Sequence, residues 1–118
     1  MNLENKNVLI LGLGITGVST VKALDKLGAN IVISDLKDRN QLNEFISQIK
    51  DIDLKLYLGT NDVPLDNIDL IIKSPGIPLT NEVIIKANKE GIEVITDLEL
   101  AYRISPNSKT IAITGTNG

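Results

Sequence analysis

The stretch Asn7–Ser19, NVLILGLGITGVS, joins an apolar run to a helical pattern through three glycines. Asn7–Leu11 is short and continuously apolar, which is typical of a strand covered on both faces of a sheet. The residues Gly12–Gly17, called the glycine loop below, have the spacing of the dinucleotide-binding fingerprint. The stretch therefore predicts a strand, a phosphate-binding turn and a helix, in that order.

Each glycine of the loop has a separate predicted task. Gly12 turns the chain off the strand, Gly14 lets the backbone approach a pyrophosphate, and Gly17 allows the helix to pack closely on the sheet. We expect the amides of Ile15, Thr16 and Gly17 to point outward at the positive end of the helix dipole, with the Thr16 hydroxyl as a further donor. A tight strand-to-helix turn that binds nothing is the alternative.

Strand and helix patterns alternate along the rest of the chain. Further strands are predicted over Ile31–Ser34, Leu54–Leu58, Asp69–Lys73 and Ile92–Ile95. Helices are predicted from the glycine loop to Leu27, with Gly28 as the stop, and over Gln41–Lys50. A third helix follows Thr80, is marked by Val83, Ile84 and Ala87 and ends at Gly91, and a fourth runs from the capping-box sequence at Thr96 to about Arg103. Between the third and fourth strands, the helix is predicted to be missing or very short. These patterns predict an α/β fold, a three-layer Rossmann-like doubly wound parallel sheet of about five strands in the order 3-2-1-4-5.

The alternation of strand and helix patterns ends after Thr96, where the short helix to about Arg103 is followed by a polar stretch. Ser105–Ser108 is predicted to be a linker, and Lys109–Thr114 a further strand that enters Gly115–Gly118. We therefore predict a domain over residues 1–104, and over 105–118 a linker with the start of a second domain. On this basis the chain is expected to be an N-terminal piece of a longer protein.

An acidic residue, Asp35, lies at the end of the second predicted strand. Asp35 follows Gly17 by 18 residues, and in a dinucleotide site it would bind a ribose; in a mononucleotide site it would bind a base or sugar edge. A loop carboxylate or a helix cap is the structural alternative. Lys37 and Arg39 lie close enough in sequence to meet a phosphate, although solvated loop charges are equally expected.

The turn Ser74-Pro75-Gly76 follows the fourth predicted strand, which neighbours the first in the predicted order. It would then lie beside the glycine loop at the topological switch point, where open α/β sheets bind ligands. A stiff turn with a free Ser74 hydroxyl would shape the floor for a sugar or phosphate. A plain turn is the alternative.

Composition excludes several classes of function. The chain has 118 residues, no Cys, no His and a formal net charge of -3, so disulfides, thiolate or imidazole catalysis and His/Cys zinc sites are excluded. The charge and the lack of a basic block argue against a nucleic-acid partner. No apolar run approaches the roughly 18 residues of a membrane span, and the polar start is not a signal peptide, so a cytoplasmic location is expected.

Taken together, GLGITG, the strand ending in Asp35, KSPGIP, TDLEL and ITGTNG resemble the cytoplasmic Mur ligases of peptidoglycan synthesis, above all the branch that adds D-glutamate. The resemblance implies a three-domain bacterial enzyme that uses ATP and Mg2+ to phosphorylate the carboxylate of UDP-N-acetylmuramoyl-L-alanine. The amine of D-glutamate then attacks the acyl phosphate to form an amide. By this resemblance the present chain would be the UDP-binding domain, without a catalytic residue, metal or cofactor of its own. We expect it to be monomeric, to bind UDP weakly and to be inactive alone.

The resemblance also assigns roles to individual positions. Gly14, Ile15, Thr16 and Gly17 would hold the diphosphate, Asp35 and Leu36 would contact the uracil end, and Lys37 stands where relatives often have Arg. Ser74, Pro75 and Gly76 would line the path toward the muramoyl group, and Gly115, Thr116, Asn117 and Gly118 would begin the ATP loop.

Two other functions remain open from the residues alone. The glycine loop with Asp35 is equally suited to an NAD-binding domain of a dehydrogenase or regulatory protein, which does not account for ITGTNG. A ligand-free interaction domain that dimerises through a sheet edge is the third hypothesis.

Overall fold

A single parallel sheet forms the centre of the fold in the computed structural model, which describes residues 2–104. Its strands are β1 (Asn7–Leu11), β2 (Asn30–Asp35), β3 (Leu54–Leu58), β4 (Leu70–Lys73) and β5 (Glu93–Thr96). They lie in the order β3-β2-β1-β4-β5, and each neighbouring pair is parallel. The predicted strand order is therefore confirmed.

The register brings three strand ends together. Leu11, the last residue of β1, pairs with Ser34 of β2 on one side and with Lys73 of β4 on the other. The loops that follow these strands consequently leave the same edge of the sheet side by side.

Four helices cover the sheet: α1 (Ile15–Lys26), α2 (Arg39–Ser47), α3 (Glu82–Lys89) and α4 (Asp97–Ile104). As predicted, α1 buries Val18, Val21 and Leu24 and is followed by Gly28 at a φ of 80°, a left-handed conformation that ends helices readily. No helix occurs between β3 and β4, also as predicted.

The bounds predicted for α2 were wrong by a few residues. The helix begins at Arg39 rather than Gln41 and ends at Ser47 rather than Lys50. Its start is set by a capping box, in which Asp38 Oδ1 accepts from the Gln41 amide at 2.9 Å and Gln41 Oε1 accepts from the Asp38 amide at 3.0 Å. The prediction followed the apolar stripe, which begins only at Leu42.

The start of α4 has half of its predicted capping box. Thr96 Oγ1 accepts from the Glu99 amide at 3.1 Å, whereas the Glu99 carboxylate accepts from Arg103 Nε at 2.7 Å. Arg103 Nη2 also donates to Glu93 at 2.9 Å, which ties the end of α4 to the start of β5.

Alternate residues of each strand face opposite layers. Val8 and Ile10 of β1 lie in the core under α1, α2 and α4, and Leu9 and Leu11 lie in the core under α3. The predicted three-layer arrangement is thereby confirmed. Within residues 2–104 no helix has both the length and the apolar character needed to cross a bilayer. The predictions made for 105–118 lie outside the described residues.

Candidate functional site

The glycine loop lies at the carboxyl edge of the sheet, between the ends of β2 and β4. The Gly12 amide donates to Ser34 O at 2.8 Å, and the Ser74 amide donates to Leu11 O at 3.0 Å. From β1 the chain proceeds to β2 and β3 on one side, and β4 and β5 lie on the other. This is the switch point at which open α/β sheets bind ligands.

The glycine loop packs directly against the turn that follows β4. Gly12 has a φ of 95°, and a Cβ there would lie 2.7 Å from Ser74 Oγ. The Ser74 hydroxyl donates to Gly12 O at 3.2 Å, so the expectation of a free hydroxyl was wrong. The close approach of the two backbones gives that hydroxyl an acceptor within the protein. Lys73 Nζ donates to Ile77 O at 2.9 Å and fixes the other side of the turn.

The other two glycines of the loop differ in the space around them. A Cβ on Gly17 would lie 2.7 Å from Gly12 O, so the predicted close packing is present and involves the carbonyl of the loop itself. A Cβ on Gly14 would meet nothing within 4 Å. The backbone at Gly14 is thus open to the surroundings, as the approach of a ligand requires.

The first amides of α1 have no hydrogen-bond partner within residues 2–104. Gly14 is the N-cap and supplies no side-chain hydrogen bond, and the first turn contains no acidic residue. Within residues 2–104 no acceptor is present for the amides of Ile15, Thr16 and Gly17. Ile15 is 78% exposed. A row of unsatisfied N–H groups at a helix N-terminus attracts anions.

Asp35 joins two loops at the site. Its Oδ2 accepts from the Leu13 amide at 2.8 Å, and its Oδ1 accepts from the Lys37 amide at 2.9 Å. Each carboxylate oxygen can accept a second hydrogen bond, so Asp35 retains capacity for a ligand while it holds the glycine loop to the loop after β2. Its contact with a ribose or base stays a prediction.

A crevice of about 270 Å³ opens beside the glycine loop. Its lining comprises Leu11, Gly12, Ser34, Asp35, Leu36, Asn61, Gly76, Ile77, Pro78 and Asn81. This volume is close to the roughly 300 Å³ at which pockets for drug-sized ligands start, so the crevice has room for a ring of a ligand.

The crevice brings together only some of the predicted site residues. Asp35, Leu36 and Gly76 line it. Ile15 and Thr16 instead line a shallow groove between α1 and α4. Absent from both linings are Gly14, Gly17, Lys37, Ser74 and Pro75.

Outside the glycine loop, the sequence analysis missed six residues of the crevice lining, namely Leu11, Ser34, Asn61, Ile77, Pro78 and Asn81. Ser34 carried a signal as a polar residue that follows the apolar run of β2, and Ile77 and Pro78 belong to the motif KSPGIP.

A larger concavity, of about 390 Å³, lies at the opposite edge of the sheet, where Asn7 and Asn30 line it. The side-chain amides of these residues are hydrogen-bonded within the protein. Asn30 Nδ2 donates to Asn7 Oδ1 at 3.1 Å, and Asn7 Nδ2 donates to the backbone carbonyl oxygen of Asn67 at 2.8 Å. These side chains join the amino ends of the strands, away from the edge at which ligands of this architecture bind.

Charge pairing in the described part of the chain is distant from the site. Its ion pairs join Arg103 with Glu93 and Glu99. The hydrogen bond from Arg103 lowers the pKa of Glu93, and the bonds to the two carboxylates raise the pKa of Arg103. Over residues 2–104 no three His, Cys, Asp or Glu side chains cluster as metal ligands do.

Comparison with known sequences gives a family model and relatives that all belong to the Mur ligases. A family model described as "Mur ligase MurD-like, N-terminal domain" matches residues 6–96. The chain is 45% identical over 119 aligned positions to a UDP-N-acetylmuramoylalanine--D-glutamate ligase of Clostridioides difficile, covering 100% of the chain and 26% of that protein. It is 42% identical over 117 positions to the Staphylococcus aureus ligase of the same name, covering 98% and 26%. The chain thus spans about a quarter of the length of these relatives.

Solved structures share the fold at low sequence identity. UDP-N-acetylmuramate-alanine ligase MurC from Thermotoga maritima matches with a TM-score of 0.63 and 18% identity, over 83% of this chain and 22% of that one. Shikimate dehydrogenase from Aquifex aeolicus matches with a TM-score of 0.57 and 15% identity, over 93% and 49%. Because a ligase and a dehydrogenase match about equally well, the fold alone does not decide the ligand.

Proposed function

Since the chain belongs to the Mur ligase MurD-like N-terminal domain family, we propose that it binds the UDP portion of UDP-N-acetylmuramoyl-L-alanine. The parent protein would join D-glutamate to this precursor, as the names of the sequence relatives imply. The alternative of an NAD-binding domain is supported by the glycine spacing and by the shared fold, and by neither of these two relatives.

The row of unpaired amides at the start of α1 carries the proposal. Ile15, Thr16 and Gly17 present backbone donors beside the empty space at Gly14. A diphosphate is a compact dianion or trianion that can accept several of these bonds at once, and the helix dipole adds to the attraction. The exposed Thr16 hydroxyl would add one donor.

The base end of the nucleotide would lie toward the crevice. Asp35 and Leu36 line it and are the residues that would contact uracil, while Lys37 would offer a mobile point charge. The turn Ser74-Pro75-Gly76 would face the muramoyl side. Because the Ser74 hydroxyl is bonded to Gly12 O, this turn would act through its shape and its backbone.

Amide formation would require parts of the ligase outside the described residues. ATP with Mg2+ would supply the phosphoryl group that converts the precursor carboxylate to an acyl phosphate, and attack by the D-glutamate amine would release inorganic phosphate. Gly115, Thr116, Asn117 and Gly118 would begin the loop that holds ATP. The role of residues 2–104 in this reaction is to bind and orient the precursor, and we expect the 118-residue chain alone to bind UDP without turnover and to need no metal.

Calorimetric titration of the 118-residue chain with UDP, UMP, NAD and ATP tests the proposal. We expect UDP to bind, UMP to bind more weakly because it lacks the second phosphate, and NAD and ATP not to bind. Binding of NAD without binding of UDP would favour the dehydrogenase-type alternative. Light scattering run in parallel checks for the predicted monomer; a dimer that binds no nucleotide would favour an interaction domain.

A further inference from the structure

Ser34 is a buried polar residue whose hydroxyl has no partner in the described part of the chain. It is 3% exposed, at the carboxyl end of β2. The other buried polar residue, Thr20, is 7% exposed and its hydroxyl donates to Thr16 O at 2.9 Å. For Ser34, residues 2–104 provide no such bond. Buried hydroxyl groups in native proteins are normally bonded, so the exception needs an explanation.

The surroundings of Ser34 supply that explanation. Ser34 lines the crevice beside the glycine loop. It lies two residues after Val32 in β2, on the face of the sheet that packs against α3. An apolar side chain would serve packing alone at this position. A hydroxyl at the floor of a ligand crevice is instead available for a polar atom of the ligand.

Besides Ser34 and Asp35, the crevice lining includes the polar side chain of Asn61. Its Nδ2 donates to Glu82 Oε2 at 3.2 Å, which orients the carboxamide and leaves its Oδ1 as an acceptor. Asn81, in contrast, uses its Oδ1 to accept from the Val83 and Ile84 amides at the start of α3. The crevice thus offers the Ser34 hydroxyl and the Asn61 carboxamide oxygen beside the Asp35 carboxylate, together with space for a ring.

We propose that Ser34 and Asn61 select the nucleobase, and that the base they select is a pyrimidine with a ring N–H beside carbonyl groups. The Ser34 hydroxyl would donate to a carbonyl oxygen of the base, and Asn61 Oδ1 would accept from the ring N–H. Uracil has both groups, whereas neutral cytosine has an unprotonated ring nitrogen at the corresponding place. This inference rests on the proposed UDP binding and adds the residues that determine its specificity.

The test compares Ser34→Ala with the unaltered 118-residue chain by calorimetry with UDP, CDP and pyrophosphate. We expect Ser34→Ala to weaken UDP binding about tenfold, the effect of one net hydrogen bond, and to leave pyrophosphate binding unchanged. Ser47→Ala is the matched control, since the Ser47 hydroxyl is exposed and donates to Glu44 O at 2.7 Å, within α2. It should change neither affinity.

Thermal unfolding distinguishes a role in ligand binding from a structural role. If the Ser34 hydroxyl stabilised the fold, Ser34→Ala would lower the unfolding midpoint. Because the Ser34 hydroxyl has no partner in the described residues, Ser34→Ala should leave the unfolding midpoint equal or higher. Asn61→Ala should reduce the preference for UDP over CDP. A lower midpoint for Ser34→Ala, or equal losses for UDP and pyrophosphate, would overturn the role of Ser34, and an unchanged UDP/CDP ratio would overturn that of Asn61.

The outcomes separate this inference from the proposed function. If the unaltered chain binds pyrophosphate but not UDP, the proposed function fails and the base selection with it. If UDP binds the unaltered chain and Ser34→Ala equally well, the proposed function stands and the selection by Ser34 is refuted.

Discussion

Replacement of Gly14 by valine should abolish UDP binding without unfolding the domain. Gly14 has an extended backbone, with φ −151° and ψ −155°, which residues with a side chain can adopt. A Cβ there meets nothing within 4 Å. Because the substitution also reduces the conformational freedom of the unfolded chain, we expect the free energy of unfolding to change by less than about 1 kcal/mol.

The expected loss of affinity follows from the amides that the valine would cover. A hydrogen bond to a charged group contributes about 1.5–3 kcal/mol. Loss of two of the bonds offered by Ile15, Thr16 and Gly17 would cost about 3–6 kcal/mol, which corresponds to a Kd that is weaker by roughly 100-fold to 20,000-fold. Calorimetry with UDP measures the affinity, and urea unfolding measures the stability.

Gly17→Ala is the control for this experiment. Its Cβ would lie 2.7 Å from Gly12 O, so the backbone must move, and we expect a loss of about 1–3 kcal/mol in the free energy of unfolding. The contrast between the two glycines tests the geometry directly. Unchanged UDP affinity in Gly14→Val, with the fold intact, would refute the placement of the diphosphate.

Three further substitutions test other parts of the molecule. Asp35→Asn should weaken UDP binding more than pyrophosphate binding and should lower the free energy of unfolding by about 1–2 kcal/mol, because one of its two backbone bonds loses its acceptor; equal losses for both ligands in calorimetry would contradict the assignment to the base end. Leu24→Ala should cost about 2–5 kcal/mol in urea unfolding, since Leu24 is 0% exposed, and a loss below about 1 kcal/mol would contradict its place in the core. Arg103→Gln should lower the thermal midpoint slightly at neutral pH and low salt. Because Arg103 lowers the pKa of Glu93 in the folded state, this difference should vanish as the pH falls through that pKa or as salt is raised; a difference that persists in acid would contradict the ion pair.

The sheet could be predicted from the sequence because its signals are local. The run Leu54–Leu58 coincides with β3, and the alternation of apolar runs with helical stripes gave the correct strand order. The start of α2 was missed because a cap at Asp38 lies outside the apolar stripe that marked the helix.

The details of the site could not be predicted because they depend on pairs of groups far apart in the chain. Asp35 and the Leu13 amide are separated by 22 positions, and Ser74 and Gly12 by 62. Sequence patterns place such residues at the same sheet edge, but they do not determine which lone pair faces which N–H. For this reason the sequence predicted the position of the glycine loop and Asp35 at this sheet edge, while the bonded state of Ser74 and the presence of Ser34 in the crevice lining emerged only from the structure.

The missing side-chain cap of α1 has a consequence for the dynamics of the domain. With Gly14 at the N-cap and no acidic residue in the first turn, the helix has no local feature that prevents fraying at its start. A bound anion would serve as the cap, so ligand occupancy and the order of the first turn would form one coupled equilibrium. Amide hydrogen exchange at Ile15–Val18 should therefore slow as the site fills, which makes the helix end itself a reporter of binding.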